Sequence, residues 1–253
     1  MNREKLKREW LAEQEIAHIK GWDFSHIHGR YREGDDLPWD FKTIIKKYLK
    51  DDMYLLDMET GGAEFLLSLN HPNHKTAAIE GYPPNVKFCE EKLLPLGVDF
   101  RAADGAGSLP FEDNTFDIIT NRHGDYNISE LKRVLKAGGL FITQQVGAEN
   151  DRALVELLLG DMAQPYTELY LDKMSNKFEK AGFEILRSEE VFRPIQFYDV
   201  GALVWFARII EWEFPGFSVE KYLDNLYKAQ SILEDKGSIE GSIHRILLVC
   251  RKN

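Results

Sequence analysis

The sequence is poor in cysteine: Cys89 and Cys250 are the only two among 253 residues. With only two thiols, far apart in predicted helix and strand, no disulfide framework is expected, and a reducing, cytoplasmic location is. No stretch approaches the roughly 18 apolar residues of a membrane span, so no membrane role is expected. Basic residues are in deficit, with 32 Lys and Arg against 42 Asp and Glu and a formal net charge of −10. That balance works against attraction to nucleic acid, which rests on Lys and Arg neutralising phosphates. A small-molecule partner is the better expectation, and Lys42, Lys46, Lys47 and Lys50 are the only seed of a basic patch. The segment Met1–Trp10 mixes both charge signs without an apolar core, so no secretory signal is expected there. Repeats and low-complexity tracts are absent. His26-x-His28 and His71-x-x-His74 lack a Cys or acid partner at ligand spacing, and no metal is expected.

What is present is alternation. Leu6, Trp10, Ile16 and Ile19 predict an amphipathic helix over 3–20, and Phe41, Ile44, Ile45, Tyr48 and Leu49 predict a second. Between them, 21–39 reads as a long connection. Strands are then predicted over 54–58, 76–80, 98–101, 116–121, 140–146, 183–192 and 245–250, with helices between them. Strand–helix alternation argues for an α/β fold: a doubly wound, mostly parallel seven-stranded sheet with helices on both faces. Residues 1–50 read as a helical N-terminal lid, 51–253 as the ligand-binding domain, and about 197–236 as a helical insertion before the last strand. Ligands of such sheets sit beyond the strand C-termini, where the winding reverses.

Three acids stand at predicted strand ends. Asp57 is followed 23 residues later by Glu80, and Asp104 closes the third strand. Carboxylates there accept from vicinal ribose hydroxyls and from an exocyclic amine, so a nucleoside is the expected ligand. A nicotinamide dinucleotide would want a fuller Gly-x-Gly-x-x-Gly turn.

The segment Asp57-x-Glu59-x-Gly61-x-Ala63 resembles the first motif of class I S-adenosylmethionine-dependent methyltransferases, an acid followed by three glycines at alternate positions. Gly61 is kept, with Gly62 beside it, whereas Glu59 and Ala63 replace the outer glycines. A Cβ at a turn position of positive φ costs roughly 1–2 kcal/mol. The run from Ala103 to Asp117, with Leu109-Pro110-Phe111 and Phe116-Asp117, resembles the third and fourth motifs. Leu135-Lys-Ala-Gly-Gly-Leu-Phe-Ile142 resembles the hairpin before the fifth strand. The resemblance spans about 50–146 and implies a Rossmann-like fold that binds S-adenosylmethionine and releases S-adenosylhomocysteine. It implies cofactor contacts from Asp57, Glu59, Gly61, Glu80, Asp104, Gly105 and Asn121. Among these, Glu80 takes the ribose, Asp104 the adenine amine, and the adjacent backbone the ring.

The same resemblance puts Asn121-Arg-His-Gly124 opposite the transferring methyl. His123 is the candidate base, with Asn121 beside it, and Arg122 is a candidate to orient substrate. Gln144, at the end of the fifth strand, and Trp22, in the segment 22–30 read as a lid, are further substrate candidates. The aromatics of 199–208 and 211–217 are either a pocket wall or ordinary packing. The acceptor is expected to be a small molecule. RNA methylation is the alternative, and Glu59 motivates a third reading, a non-catalytic nucleoside-binding protein of the same fold.

Overall fold

The structure is a computed structural model that describes residues 2–18, 23–34 and 36–253. Two compact units divide the chain. The larger comprises Leu37–Gly147, Glu168–Val191 and Arg245–Asn253; the smaller comprises Met1–Asp36, Ala148–Thr167 and Phe192–His244.

In the larger unit, β2 (Leu55–Met58), β3 (Thr76–Glu80), β4 (Asp99–Ala102), β5 (Phe116–Arg122) and β6 (Leu135–Val146) form parallel ladders. The C-terminal half of β8 (Ile239–Lys252) closes on β6 antiparallel, pairing Val146 with Arg245 through to Leu140 with Arg251. Together with β7 (Phe183–Phe197), the order here is β7-β8-β6-β5-β2-β3-β4. The winding reverses between β5 and β2. Successive residues face opposite sides, so Leu55, Ile118, Ile142 and Leu247 join one core while Leu56, Ile119, Phe141 and Leu248 join the other. Such runs, apolar on both faces, are what a sheet covered on both sides requires. On the first side lie α2 (Phe41–Tyr48), α3 (Glu64–Ser68) and α4 (Pro83–Leu93); on the second lie α5 (Ile128–Val134) and α7 (Leu171–Lys180).

The smaller unit holds α1 (Arg3–Glu15), β1 (Tyr31–Glu33), α6 (Arg152–Leu159), α8 (Val200–Ile209) and α9 (Leu223–Lys236). Nine of the ten residues of α8 are buried, so this helix is apolar all round and forms a core. Trp205, Phe206, Phe214 and Phe217 are packed into it; these aromatics are core rather than pocket wall. Arg30 holds Asp199 by two bonds of 2.8 and 2.7 Å and also meets Glu13 at 2.8 Å. His26 reaches the same Glu13 at 2.8 Å. Arg30 and His26 of the expected lid segment are therefore engaged within their own unit.

The sheet has eight strands where the sequence predicts seven. The addition is β1, whose Tyr31, Arg32 and Glu33 pair antiparallel with Phe197, Gln196 and Ile195. Three residues are too few to show a strand period, and this edge exists only because β7 runs on to Phe197.

Candidate functional site

The switch point lies at the C-terminal ends of β2 and β5, where Asp57 is in register with Thr120 and Met58 with Asn121. Glu59, Gly61 and Ala63 follow with φ of 54°, 60° and 61°. Alternate left-handed residues are what makes glycine suitable at these positions, and here two of the three carry a Cβ. The turn is braced from outside it. Thr60 N–H donates to Ile79 O at 3.1 Å, Lys92 Nζ to Gly62 O at 2.7 Å, and Cys89 Sγ to Gly61 O at 3.0 Å. Burial pushes the Cys89 thiol up to about 11, so it keeps the proton it donates.

Asp57 sits below this turn. Its Oδ2 accepts from Thr60 Oγ1 at 2.8 Å and its Oδ1 from Thr120 Oγ1 at 2.6 Å. Burial raises its pKa, and the two hydroxyl bonds oppose that shift. Asp57 thus supports the turn from beneath, in place of the ligand-facing position read from the sequence. Glu80 does reach the rim: it is buried at the end of β3, with Oε2 accepting from Gly61 N at 2.7 Å and Oε1 from Tyr82 N at 2.8 Å. Each oxygen retains a second lone pair for a ligand hydroxyl. Asp104 is exposed and closes an Asx turn on Ala106 N at 2.8 Å. The three acids therefore do not share one role.

Glu59 links the turn after β2 to the loop after β4. Its Oε1 accepts from Gly105 N at 2.7 Å, and the Gly81 amide also favours its charged form. Burial nonetheless raises its pKa, with the charges of Glu80 and Asp104 adding to the shift. A Cβ on Gly124 would lie 2.5 Å from Glu59 Cγ and 2.6 Å from its Cβ, so the glycine is what admits this side chain.

At the end of β5, Asn121 is buried. Its Oδ1 accepts from Gln145 Nε2 at 2.5 Å and from Thr143 Oγ1 at 3.2 Å. Gln145 Nε2 also donates to Gly124 O at 3.0 Å, which fixes that amide's orientation and hence Asn121's. Asn121 Nδ2 is left without a partner, 3.1 Å from where a Gly124 Cβ would stand. Unsatisfied buried donors are rare, and this one lies just under the crevice floor.

His123 follows with φ 63°. It is open to solvent yet densely surrounded by protein atoms, as the wall of a cleft is. Burial among those atoms, then the charges of Arg245 and Arg122, lower its pKa below the ordinary 6.5. Trp39 Nε1 donates to Gln144 Oε1 at 2.8 Å, and Gln144 Nε2 lies 3.2 Å from His123 Nε2. Trp Nε1 can only donate, so the Gln144 oxygen faces it and the Gln144 nitrogen faces His123. His123 Nε2 is therefore the acceptor, and Nδ1 carries the proton. The expected general base has its lone pair occupied and its basicity lowered. In this geometry Nδ1–H is the donor that His123 retains.

Arg122 points to the other face, stacked 4.6 Å over the Phe65 ring. Trp22 lies outside the described residues. Trp39 was missed by pattern reading, although a buried indole requires a partner for its N–H and so was a legible signal.

A family model for the methyltransferase domain matches residues 56–143, from the first residues of the acid turn to the strand that carries Gln144. This segment matches a methyltransferase domain. Its family implies S-adenosylmethionine as methyl donor. The phthiotriol/phenolphthiotriol dimycocerosates methyltransferase of Mycobacterium tuberculosis is 30% identical over 103 residues, 38% of this chain and 37% of that enzyme. Demethylmenaquinone methyltransferase of Thermus thermophilus is 29% identical over 136 residues, 47% of this chain and 62% of that enzyme. The matched segments thus take in between about a third and three fifths of those relatives' lengths. In fold, the chain is similar to a functionally unknown protein of Deinococcus radiodurans, with TM-score 0.61, 14% identity and coverage of 99% and 98% of the two chains. YcgJ of Bacillus subtilis gives TM-score 0.58 at 19% identity, over 84% of this chain and 97% of that one.

The residues of the methyltransferase domain fit that donor with one exception. Glu80 offers two acceptor oxygens at the rim, and a Cβ on Gly61 would meet nothing within 4 Å, so the turn is open above its centre. The exception is Glu59, which occupies the Gly105 N–H. Among the described residues, no group of three or more His, Cys, Asp or Glu is placed to hold a metal ion, and no helix is long and apolar enough to cross a membrane.

Proposed function

We propose that the methyltransferase domain binds S-adenosylmethionine at the β2–β5 switch point and transfers its methyl group to a small-molecule acceptor. The observation that carries the reading is Glu80: a buried carboxylate at a strand end, fixed by the Gly61 and Tyr82 amides beside a left-handed turn. Two acceptor oxygens held that rigidly match a pair of vicinal hydroxyls. Asp104, exposed at the neighbouring strand end, supplies the acceptor for an exocyclic amine. Support for a small acceptor comes from the relatives, whose names specify a phthiotriol and a demethylmenaquinone.

When bound, the donor supplies an activated methyl on a sulfonium, open to in-line displacement. The chain's residues then contribute proximity and alignment, worth up to roughly 7–11 kcal/mol in well-oriented cases. Asn121 Nδ2 and His123 Nδ1–H are the donors available to fix an oxygen of the acceptor. Neither takes a proton, so the acceptor is one that is already nucleophilic or loses its proton to solvent. RNA is disfavoured as acceptor by the net charge of −10.

Calorimetry tests the reading. Micromolar binding of S-adenosylhomocysteine that Glu80→Ala reduces at least about tenfold, as losing a charged hydrogen-bond acceptor should, is the expected result. Absence of binding at millimolar ligand, or binding indifferent to Glu80→Ala, overturns it.

A further inference from the structure

The donors at the rim are already taken. A purine nucleoside presents hydroxyls and an amine, which donate, and ring nitrogens, which accept. Glu80 and Asp104 can serve the donating groups but offer nothing to a ring nitrogen. The groups beside them that can donate are the backbone amides of Gly105 and Gly81. Glu59 Oε1 accepts from Gly105 N at 2.7 Å, and its charge is also stabilised by the Gly81 amide. The side chain reaches there from a left-handed residue, φ 54°, across the space that Gly124 leaves open. A glycine at position 59 would satisfy the same backbone turn without strain. The carboxylate therefore does not serve the turn. It serves the amides.

We infer that Glu59 is a built-in occupant of the nucleoside half of the donor site, holding the Gly105 amide until an adenosine moiety displaces it. Resting on the donor reading above, this makes Glu59 a specificity determinant. Every nucleoside ligand must compete with an acceptor tethered inside the site, and only one that returns a hydrogen bond to Gly105 replaces what is lost. The methionine end of the donor contributes nothing to that exchange, so the competition acts equally on ligands with and without it. The charges of Glu80 and Asp104 oppose the ionised form of Glu59, which lessens what a ligand must overcome to displace it.

Calorimetric titration of the full chain with S-adenosylhomocysteine and with adenosine tests this. Glu59→Gly should bind both ligands at least about tenfold more tightly, the return of one or two amide donors. Glu59→Gln, which keeps the size but weakens the acceptor, should gain less for both. The free protein's Gly105 amide proton should move upfield in either variant, as the loss of a charged acceptor requires. Equal affinity of wild type and Glu59→Gly, or a gain for S-adenosylhomocysteine without a gain for adenosine, overturns the inference while leaving the donor reading intact. No binding to any of the three proteins at millimolar ligand overturns both. If Glu59→Gly does not fold, Glu59→Gln and the Gly105 resonance decide alone, an unmoved resonance counting against the inference.

Discussion

Gln144 presents its side-chain nitrogen to Nε2 of His123 at 3.2 Å, and this contact settles which proton His123 carries. The far end of Gln144 is locked by Trp39 at 2.8 Å, so the amide cannot turn over without facing one donor with another. Nitrogen-detected NMR should find His123 as the Nδ1–H tautomer and neutral down to below its ordinary pKa. Trp39→Phe, which frees Gln144 to invert, should yield a mixture of tautomers. A wild-type spectrum with the proton on Nε2 would refute the assignment.

The sign of the accompanying pH effect follows from burial. His123 resists protonation in the folded chain, so unfolding takes up a proton once pH falls below about 6.5, the unfolded value. Stability should decline as pH drops through that range, and His123→Gln should flatten this limb of a thermal denaturation series. An unchanged slope in the variant would remove His123 as its source.

Gly124 and Glu59 share one space. Gly124→Ala puts a methyl 2.5 Å from Glu59 Cγ, an overpacking that should cost roughly 1–3 kcal/mol in chemical denaturation. In the Glu59→Gly background the same substitution should cost about 1 kcal/mol less or better, because residues in contact couple. Additive effects would mean that Glu59 does not lie against Gly124.

Asp57 is a support carrying a buried charge. Asp57→Ala removes the acceptor of the Thr60 hydroxyl and leaves the Thr120 hydroxyl only its long bond to Leu56 O, and should cost roughly 2–3 kcal/mol. Asp57→Asn keeps a polar partner for both and should be far milder. The folded pKa of Asp57 lies above its unfolded value near 3.8, so folding retains a proton that the unfolded chain has lost. Its contribution is fully present below that pH and fades as pH rises through the folded pKa. The melting temperature of Asp57→Asn relative to wild type should therefore climb between pH 4 and 7. A constant difference would contradict the raised pKa.

In the smaller unit, Asp199 both caps α8, accepting from Ala202 N at 2.8 Å, and holds Arg30. Asp199→Ala should cost about 1–2 kcal/mol, mostly from the lost cap, since the ion pair is partly solvent-exposed. Asp199→Asn keeps the cap and should lose less than half of that. Equal losses in the two variants would place the energy in the ion pair instead.

Much of this was legible along the chain. Strand β3 falls on 76–80 as its apolar run indicates, and Glu80 ends it. The α/β alternation and the mostly parallel sheet follow from apolar runs bounded by helical periods, both of which are local signals. The apolar pattern of β7 is legible only to 192, because Pro194 interrupts the run that follows and the last residues gain their order from β1 across the edge. The aromatics of 199–217 have two readings by pattern alone, and burial in the smaller core decides for Trp205, Phe206, Phe214 and Phe217, while Trp212 stays exposed.

The sequence by itself determined that acids stand at the ends of β2 and β3 and beyond β4, since position within a strand is a matter of neighbours in the chain. Tertiary structure alone decided what each acid does. Asp57 meets Thr120, 63 positions on, and Glu59 meets Gly105, 46 positions on. A carboxylate's role is set by the donors that surround it, and those donors are brought together only when the sheet is formed.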